Sequence, residues 1–318
     1  MSESADPSLP APLASAVKDF RAWMQDELLA DQARTTPRSP LYHYTREASL
    51  HGVLEHRKIW CFSHSQQSDD TEVIYSLEIA RQVVREEARR REPSAKSLLT
   101  GLDGILGTNL MREVFDFYFF SLSRHRDHGK QWAEYGDCGK GFAIGFSPAL
   151  FQPDRSDLMP LPNENVFVGQ IIYGRDATRT RHRRGIQKLA EIVTRMAETN
   201  LPLVRKNKQA WFDNLNQEYI AELLIWNCLT AKAGRYRREQ ETRYILMGMR
   251  EIFDCCRKQH GERNYVETLL PLQEKGNITE IIVGPNAPSG AETMVQNLLR
   301  SLGYPDDIPV SRSAVSAM

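Results

Sequence analysis

Apolar and polar residues alternate along the chain in two periods, and the switch between them marks the elements. Residues 15–30 set Val17, Phe20, Trp23, Met24 and Leu28 on one helical stripe, which predicts an amphipathic helix. "RTTPRSP" then breaks the chain. "LYHYT" (41–45) and "IWCFS" (59–63) are short, aromatic and β-prone. Between them "REASLHGVLEHRK" reads as a helix with Leu50, Val53 and Leu54 inward. An amphipathic helix is expected from about Glu72, ended by Pro93, followed by a glycine-interrupted helical stretch.

"FDFYFFSLS" (115–123) is apolar enough to be a central strand. "FAIGF" (142–146) is another, and "NVFVGQIIYG" (165–174) is a strand or hairpin arm. Residues 178–199 and 205–232 predict two long helices separated by "NLPLV". "TRYILMGM" is a strand, "DCCRKQHGERNYVETLLP" is mixed, and "ITEIIVGPNA" is a strand ending in a Gly-Pro turn. A helix over "GAETMVQNLLRSLGY" and a last strand at "IPVSRS" complete the pattern, and residues 1–14 read as a disordered tail. Strands and helices do not alternate regularly, so the expected class is α+β. The expected organisation is a tail and helix over 1–40, then one domain over 41–315 with helical insertions at about 64–112 and 178–232.

Composition narrows the setting. Forty-one basic and 41 acidic residues cancel, so global charge points to neither nucleic acid nor membrane. Five cysteines, odd in number and without a CxxC, fit free thiols in a reducing compartment. There is no signal-peptide pattern and no apolar run near the ~20 residues of a membrane helix. A cytoplasmic location with no membrane partner is the expectation. No GxGxxG follows a first strand and there is no Walker loop, so a dinucleotide would not be held in the Rossmann manner.

"YRREQETRYIL" (236–246) brings in chemistry. Glu239 and Glu241 stand two apart at the mouth of a strand, where such residues share a face. They are either working carboxylates or part of an ion-pair ladder with Arg243. "HRDH" groups His125, Asp127 and His128, as a metal site or a solvated loop; no metal ligand is assigned. "GDCGKG" offers backbone N–H groups for phosphate, or a tight turn. Trp132 and Tyr135, one helical turn apart, stack on a ligand or pack in the core. Residues 174–208 hold ten Lys/Arg against three Asp/Glu, a docking stripe for nucleic-acid phosphates or a solvated helix face.

"LYHYTREASLHGVLEHRKIW" resembles the opening of the ADP-ribosyltransferase fold, with Leu41, His43 and Thr45, then Val53, Leu54 and Ile59. More specifically, the order LYHYT (41–45), DDTE (69–72), SLSRHRDHGKQWAEYGDCGKGFAIGF (121–146), KAGRYRREQETRYIL (232–246) and ITEIIVGPNA (278–287) resembles a bacterial domain-of-unknown-function family. Tyr44 replaces the glycine that many transferases carry, Asp69 replaces Asn, Thr242 replaces a Trp, and Arg57 and Lys58 stand where a glycine is expected.

The resemblance implies a split β-sheet core with helical insertions, and NAD as substrate. Cleaving its N-glycosidic bond makes the ribose cationic, and a carboxylate aimed there stabilises that charge. Glu241 takes this role and Glu239 assists an acceptor. His43, with Tyr44 and Thr45, lines the cofactor pocket. Ser121 and Ser123 match a Ser-x-Ser that touches ribose, and Tyr135 stacks on nicotinamide. On this view the carboxylate of Glu241 faces the same hollow as His43. The implied activity is transfer of ADP-ribose to an unknown protein or nucleic-acid acceptor, in a toxin or phage-defence effector. The alternatives are a catalytically inactive nucleotide- or protein-binding module of the same fold, or a metal-dependent nucleic-acid hydrolase.

Overall fold

The computed structural model describes residues 9–64, 71–108, 114–151 and 166–316. Its elements in chain order are α1 (Ala11–Thr35), β1 (Leu41–Thr45), α2 (Glu47–His56), β2 (Lys58–Ser63), α3 (Thr71–Ala88), α4 (Pro93–Leu106) and β3 (Phe115–Ser123). Then come α5 (Gly129–Glu134), β4 (Phe142–Phe146), β5 (Val166–Gln170), β6 (Ile172–Tyr173), α6 (Arg175–Lys206), α7 (Lys208–Tyr219), α8 (Ile225–Leu229) and β7 (Ala231–Lys232). The last are β8 (Glu241–Met249), β9 (Arg257–His260), β10 (Arg263–Leu269), β11 (Ile278–Val283), α9 (Ala291–Ser301) and β12 (Val310–Arg312). This is a mixed α/β chain of the α+β kind. The chain forms two compact units, one from residues 1–34, 69–115 and 172–237, the other from 35–68, 116–171 and 238–318. The two insertions read from the sequence thus join the N-terminal helix in one unit.

That first unit is helical. Val17, Phe20, Met24 and Leu28 are buried as their stripe predicts, while Trp23 is half-buried, stacked on Phe20 with the Lys188 ammonium 5.7 Å from its ring. The helix begins at Ala11, so residues 11–14 are not the disordered tail expected; a proline in the first turn, here Pro12, removes no helical hydrogen bond. Pro93 does not end α3, which stops at Ala88. It opens α4, whose first amides, Ser94 N and Ala95 N, donate to the Glu92 carboxylate. The "NLPLV" break is a kink at Asn200 (φ −140°, ψ 41°) inside α6, two residues before Pro202. The expected helix over 205–232 is instead three pieces: α7, a π-turn at Ile220–Leu224, and α8.

Four arginines of the basic stripe of α6 are paired within this unit. Arg179 and Arg183 pair with Glu86, Arg181 with Asp31 (2.7 Å) and Arg184 with Glu27 (2.7 Å). Among the described residues, no helix is long and apolar enough to cross a membrane.

The second unit is built on one sheet, in the order β12-β11-β4-β1-β3-β2-β10-β9, with β8 pairing both β3 and β5. Pairing is antiparallel along the path except between β11 and β12. β3 is the branch point. β1 meets it at Tyr42↔Ser123 and β2 meets it at Phe62↔Phe119 and Ser63↔Tyr118, and β8 is its third partner. A strand has two edges, so two of these three partners share one edge at different heights, and the sheet divides there into arms.

One face of the sheet packs the main core. Leu41, Tyr118, Phe120, Leu122, Ile144, Phe146, Tyr244 and Leu246 lie under Leu50, Val53 and Leu54 of α2 and Val295 and Leu299 of α9. The other face carries a smaller cluster of Tyr42, Tyr44, Ala143 and Ile282 with Trp132 of α5. This alternation of buried faces follows from the strand period of two.

Candidate functional site

The three strands β1, β3 and β8 are adjacent in the sheet and carry most of the residues singled out from the sequence. Ser121 Oγ donates to Glu241 Oε1 at 2.7 Å. Arg243 grips the same carboxylate, Nε to Oε1 at 2.8 Å and Nη2 to Oε2 at 3.3 Å. Its guanidinium carbon lies 4.4 Å from the centroid of Phe119, a cation–π contact. Glu241 is 6% exposed and Arg243 1%, so the pair is closed in; Ser121 itself is exposed.

His43 does not share this hollow. Opposed residues of an antiparallel pair lie on one face, so Tyr42 shares a face with Ser123, and hence with Ser121. His43 alternates with Tyr42 and points to the core side, where it stands opposite Ile144 and its ring meets Phe120 at 4.2 Å. Glu241 and Arg243 alternate with the core residues Tyr244 and Leu246, and so lie on the Ser121 face. Among the described residues, the link from His43 to the site runs through backbone: its Nδ1 donates to the Ser121 carbonyl at 3.2 Å, close to the branch of the sheet. Burial pushes this half-buried imidazole down to about 4, against the opposing effect of that bond.

Glu239 does not extend the strand. It ends a 3-10 turn (Gly234–Glu239), and Gln240 then takes a left-handed φ of 43° before β8 begins. The shared face expected of Glu239 and Glu241 is therefore lost. Glu239 is buried, and its carbonyl accepts from Ser123 Oγ at 2.8 Å and Gln131 Nε2 at 3.3 Å. Ser123 Oγ also accepts from the His125 amide at 3.1 Å, which fixes the turn after β3.

Tyr44 is buried, edge-on to Trp132 at 4.8 Å, with its hydroxyl donating to the His125 carbonyl at 3.0 Å. Burial raises its phenol strongly. The bulky residue at the position of the expected glycine is thus a packing element. Thr45 is also buried. Trp132 is fully buried, whereas Tyr135 is 49% exposed, so the two rings do not form one stacking surface.

The HRDH loop is organised around Asp127. Its Oδ1 accepts from Trp132 Nε1 (2.6 Å) and Ser313 Oγ (2.7 Å), and its Oδ2 from the Ala314 amide (2.7 Å). Burial alone would raise its pKa, but these donors hold it below the usual carboxylate value. His125 and His128 stack on each other at 4.4 Å. Among the described residues, no group of three or more His, Cys, Asp or Glu is disposed to hold a metal ion.

GDCGKG is a stitched turn. Its Gly139 and Gly141 amides both donate to the Gly136 carbonyl, which takes them away from a phosphate. Its carbonyls at Gly139 and Gly141 accept from the amides of Asn286 and Gly284, tying the loop to the Gly-Pro turn. A Cβ on Gly141 would lie 2.1 Å from the Thr45 carbonyl oxygen, a backbone atom that cannot step aside. Gly141→Ala is expected to cost about 1–3 kcal/mol of stability, read as a lower melting temperature with unchanged far-UV spectrum. The sequence motif DDTE cannot be placed, because Asp69 and Asp70 lie outside the described residues.

Sequence reasoning missed two clusters. One is a buried Ser76–His182–Asn227 network in the helical unit. The other is an aromatic run on β2, β9 and β10, built on Trp60 and Tyr265. Cross-strand register alone reveals the second, and no local pattern announces it.

Comparison with known proteins adds one relation. No curated protein and no solved structure matches the chain. The segment 131–244, just over a third of the chain, is similar to the family described as Protein of unknown function (DUF2971), from Gln131 of α5 to Tyr244 of β8.

Proposed function

We propose that this protein is a binding module for a nucleotide-containing or protein partner, built on a split sheet of the ADP-ribosyltransferase kind and without transferase turnover. The observation that carries this reading is the closure of Glu241 by Arg243 and Ser121 on the face of the sheet away from His43. A carboxylate that stabilises a developing ribosyl cation must face the substrate with its charge uncancelled. Here the nearest cation is already a guanidinium of the same strand. The buried Tyr44, where a glycine would leave room, supports the same reading.

The Ser121–Glu241 hydrogen bond favours a second reading, the NAD-cleaving transferase. It joins a hydroxyl of the central strand to the acid of the next strand, beside the exposed Ser121. Incubation with NAD separates the two. The expected outcome is nicotinamide release at the buffer rate by the wild type and by Glu241→Gln alike. Release well above background that Glu241→Gln abolishes, with folding retained, establishes the transferase instead.

A further inference from the structure

The outer arm of the sheet carries aromatic rings and cations on one face. Phe62 stands opposite Tyr265 and Trp60 opposite Glu267, while Tyr265 is also opposite Lys258 and Arg263 opposite His260. Opposed residues share a face, so these side chains point the same way. The alternate residues Ile59, Cys61, Val266 and Thr268 are buried on the core side. Because Phe62 is also opposite Phe119, this face is continuous with that of Ser121.

The rings form a run. Trp60 and Tyr265 stack with centroids 4.3 Å apart and planes at 26°. His260 lies 5.2 Å from Trp60, Phe62 lies 6.1 Å from Tyr265, and the Arg263 guanidinium lies 5.9 Å from Phe62. Trp60 and Phe62 are half-buried, and Lys258, His260 and Arg263 are exposed. Lys58 and Lys258 both reach the same Glu267 oxygen at 2.8 Å. One carboxylate thus serves two ammonium groups, with Arg263 beside them, and the face is left positive; Glu262 belongs to the turn beyond it.

We propose that this face binds an unpaired nucleic-acid strand. Bases stack against Trp60 and His260, and phosphates lie near Lys58, Lys258 and Arg263. Aromatic platforms flanked by cations suit single strands, because every base offers a π-face and every nucleotide a charge. Neutral overall charge does not oppose this, since the contact is local. The inference rests on the binding-module reading and names its partner.

Fluorescence polarisation with a labelled oligouridine or oligothymidine of roughly 15 nucleotides tests it. The full chain is expected to bind either strand more tightly than a duplex of the same length. Affinity is expected to fall roughly tenfold between about 50 and 200 mM salt, as for a few phosphate contacts. Trp60→Ala and the exposed pair Lys258→Glu/Arg263→Glu each lower affinity roughly tenfold, whereas Arg195→Glu on the exposed side of α6 leaves it unchanged. Trp60→Ala is half-buried, so its melting curve is recorded beside the charge variants, which carry the test if it unfolds. No binding by the wild type, affinity unmoved by the charge pair, or equal affinity for duplex overturns the proposal. NAD turnover is measured on the same samples: turnover removes the binding-module reading, while absent turnover with absent oligonucleotide binding removes only the choice of partner.

Discussion

Arg243→Leu is expected to lower stability by about 3–5 kcal/mol, because it leaves a buried carboxylate without its counter-charge. Arg243 is 1% exposed and Glu241 6%, so water cannot replace the lost partner. The substitution also removes the stacking of the guanidinium on Phe119, worth about 0.5–2 kcal/mol when desolvated. Glu241→Gln is expected to cost a comparable amount, since it leaves the buried Arg243 guanidinium without its counter-charge even though the amide oxygen still accepts from Ser121. The double variant Glu241→Gln/Arg243→Met is expected to recover most of the loss, because it leaves no ion unpaired. Urea midpoints with unchanged slopes give the three values, and the cycle gives a coupling of about 2 kcal/mol or more. A loss below about 1 kcal/mol for Arg243→Leu would mean that Glu241 finds solvent or another cation, and that it is available to a substrate after all.

How far the sequence could be read depended on how local each signal was. The aromatic and apolar runs LYHYT, FDFYFFSLS and FAIGF located three adjacent core strands, because strands buried on both faces leave short, nearly continuous apolar stretches. The strand period misled at Glu239 and Glu241. Residues 234–239 form a 3-10 turn and Gln240 takes a positive φ, so the alternation of β8 starts only at Glu241, and glutamine does not advertise that conformation. His43 shows a second limit. Its parity within β1 is legible, but the face shared with β8 depends on the Tyr42↔Ser123 register across the sheet, which is not local. The arginines of α6 read as a basic stripe because their partners Asp31, Glu27 and Glu86 are far off in sequence. Pro93 and Pro202 show the third limit: a proline marks a break, but whether it ends one helix, opens the next or kinks a continuous one depends on capping and packing.

Acid is expected to destabilise the fold through His182. Its ring is fully buried, with Nε2 donating to Ser76 Oγ at 2.9 Å while Ser76 donates on to the Asn227 carbonyl at 3.3 Å. That direction of donation keeps the proton on Nε2 and leaves Nδ1 as a lone pair, for which the described residues offer no partner. Burial pushes the imidazole down to about 3, with the neighbouring Arg181 adding to the effect and the Ser76 bond opposing it. Asp31 offsets Arg181, and the nearby Cys228 thiol is pushed up to about 12 by burial, so it stays neutral throughout. The unfolded imidazole titrates near 6.5, so below that value the unfolded chain takes up a proton that the folded chain refuses. Stability is therefore complete above about pH 6.5 and falls by about 1.4 kcal/mol per pH unit toward the folded value, or about 2 kcal/mol by pH 5. His182→Gln is destabilised at neutral pH by its imperfect fit, yet its loss between pH 7 and pH 5 is expected to be about 2 kcal/mol smaller than the wild type's. Urea titrations of both proteins at the two pH values give that difference, and equal losses would show that His182 does not carry the acid sensitivity.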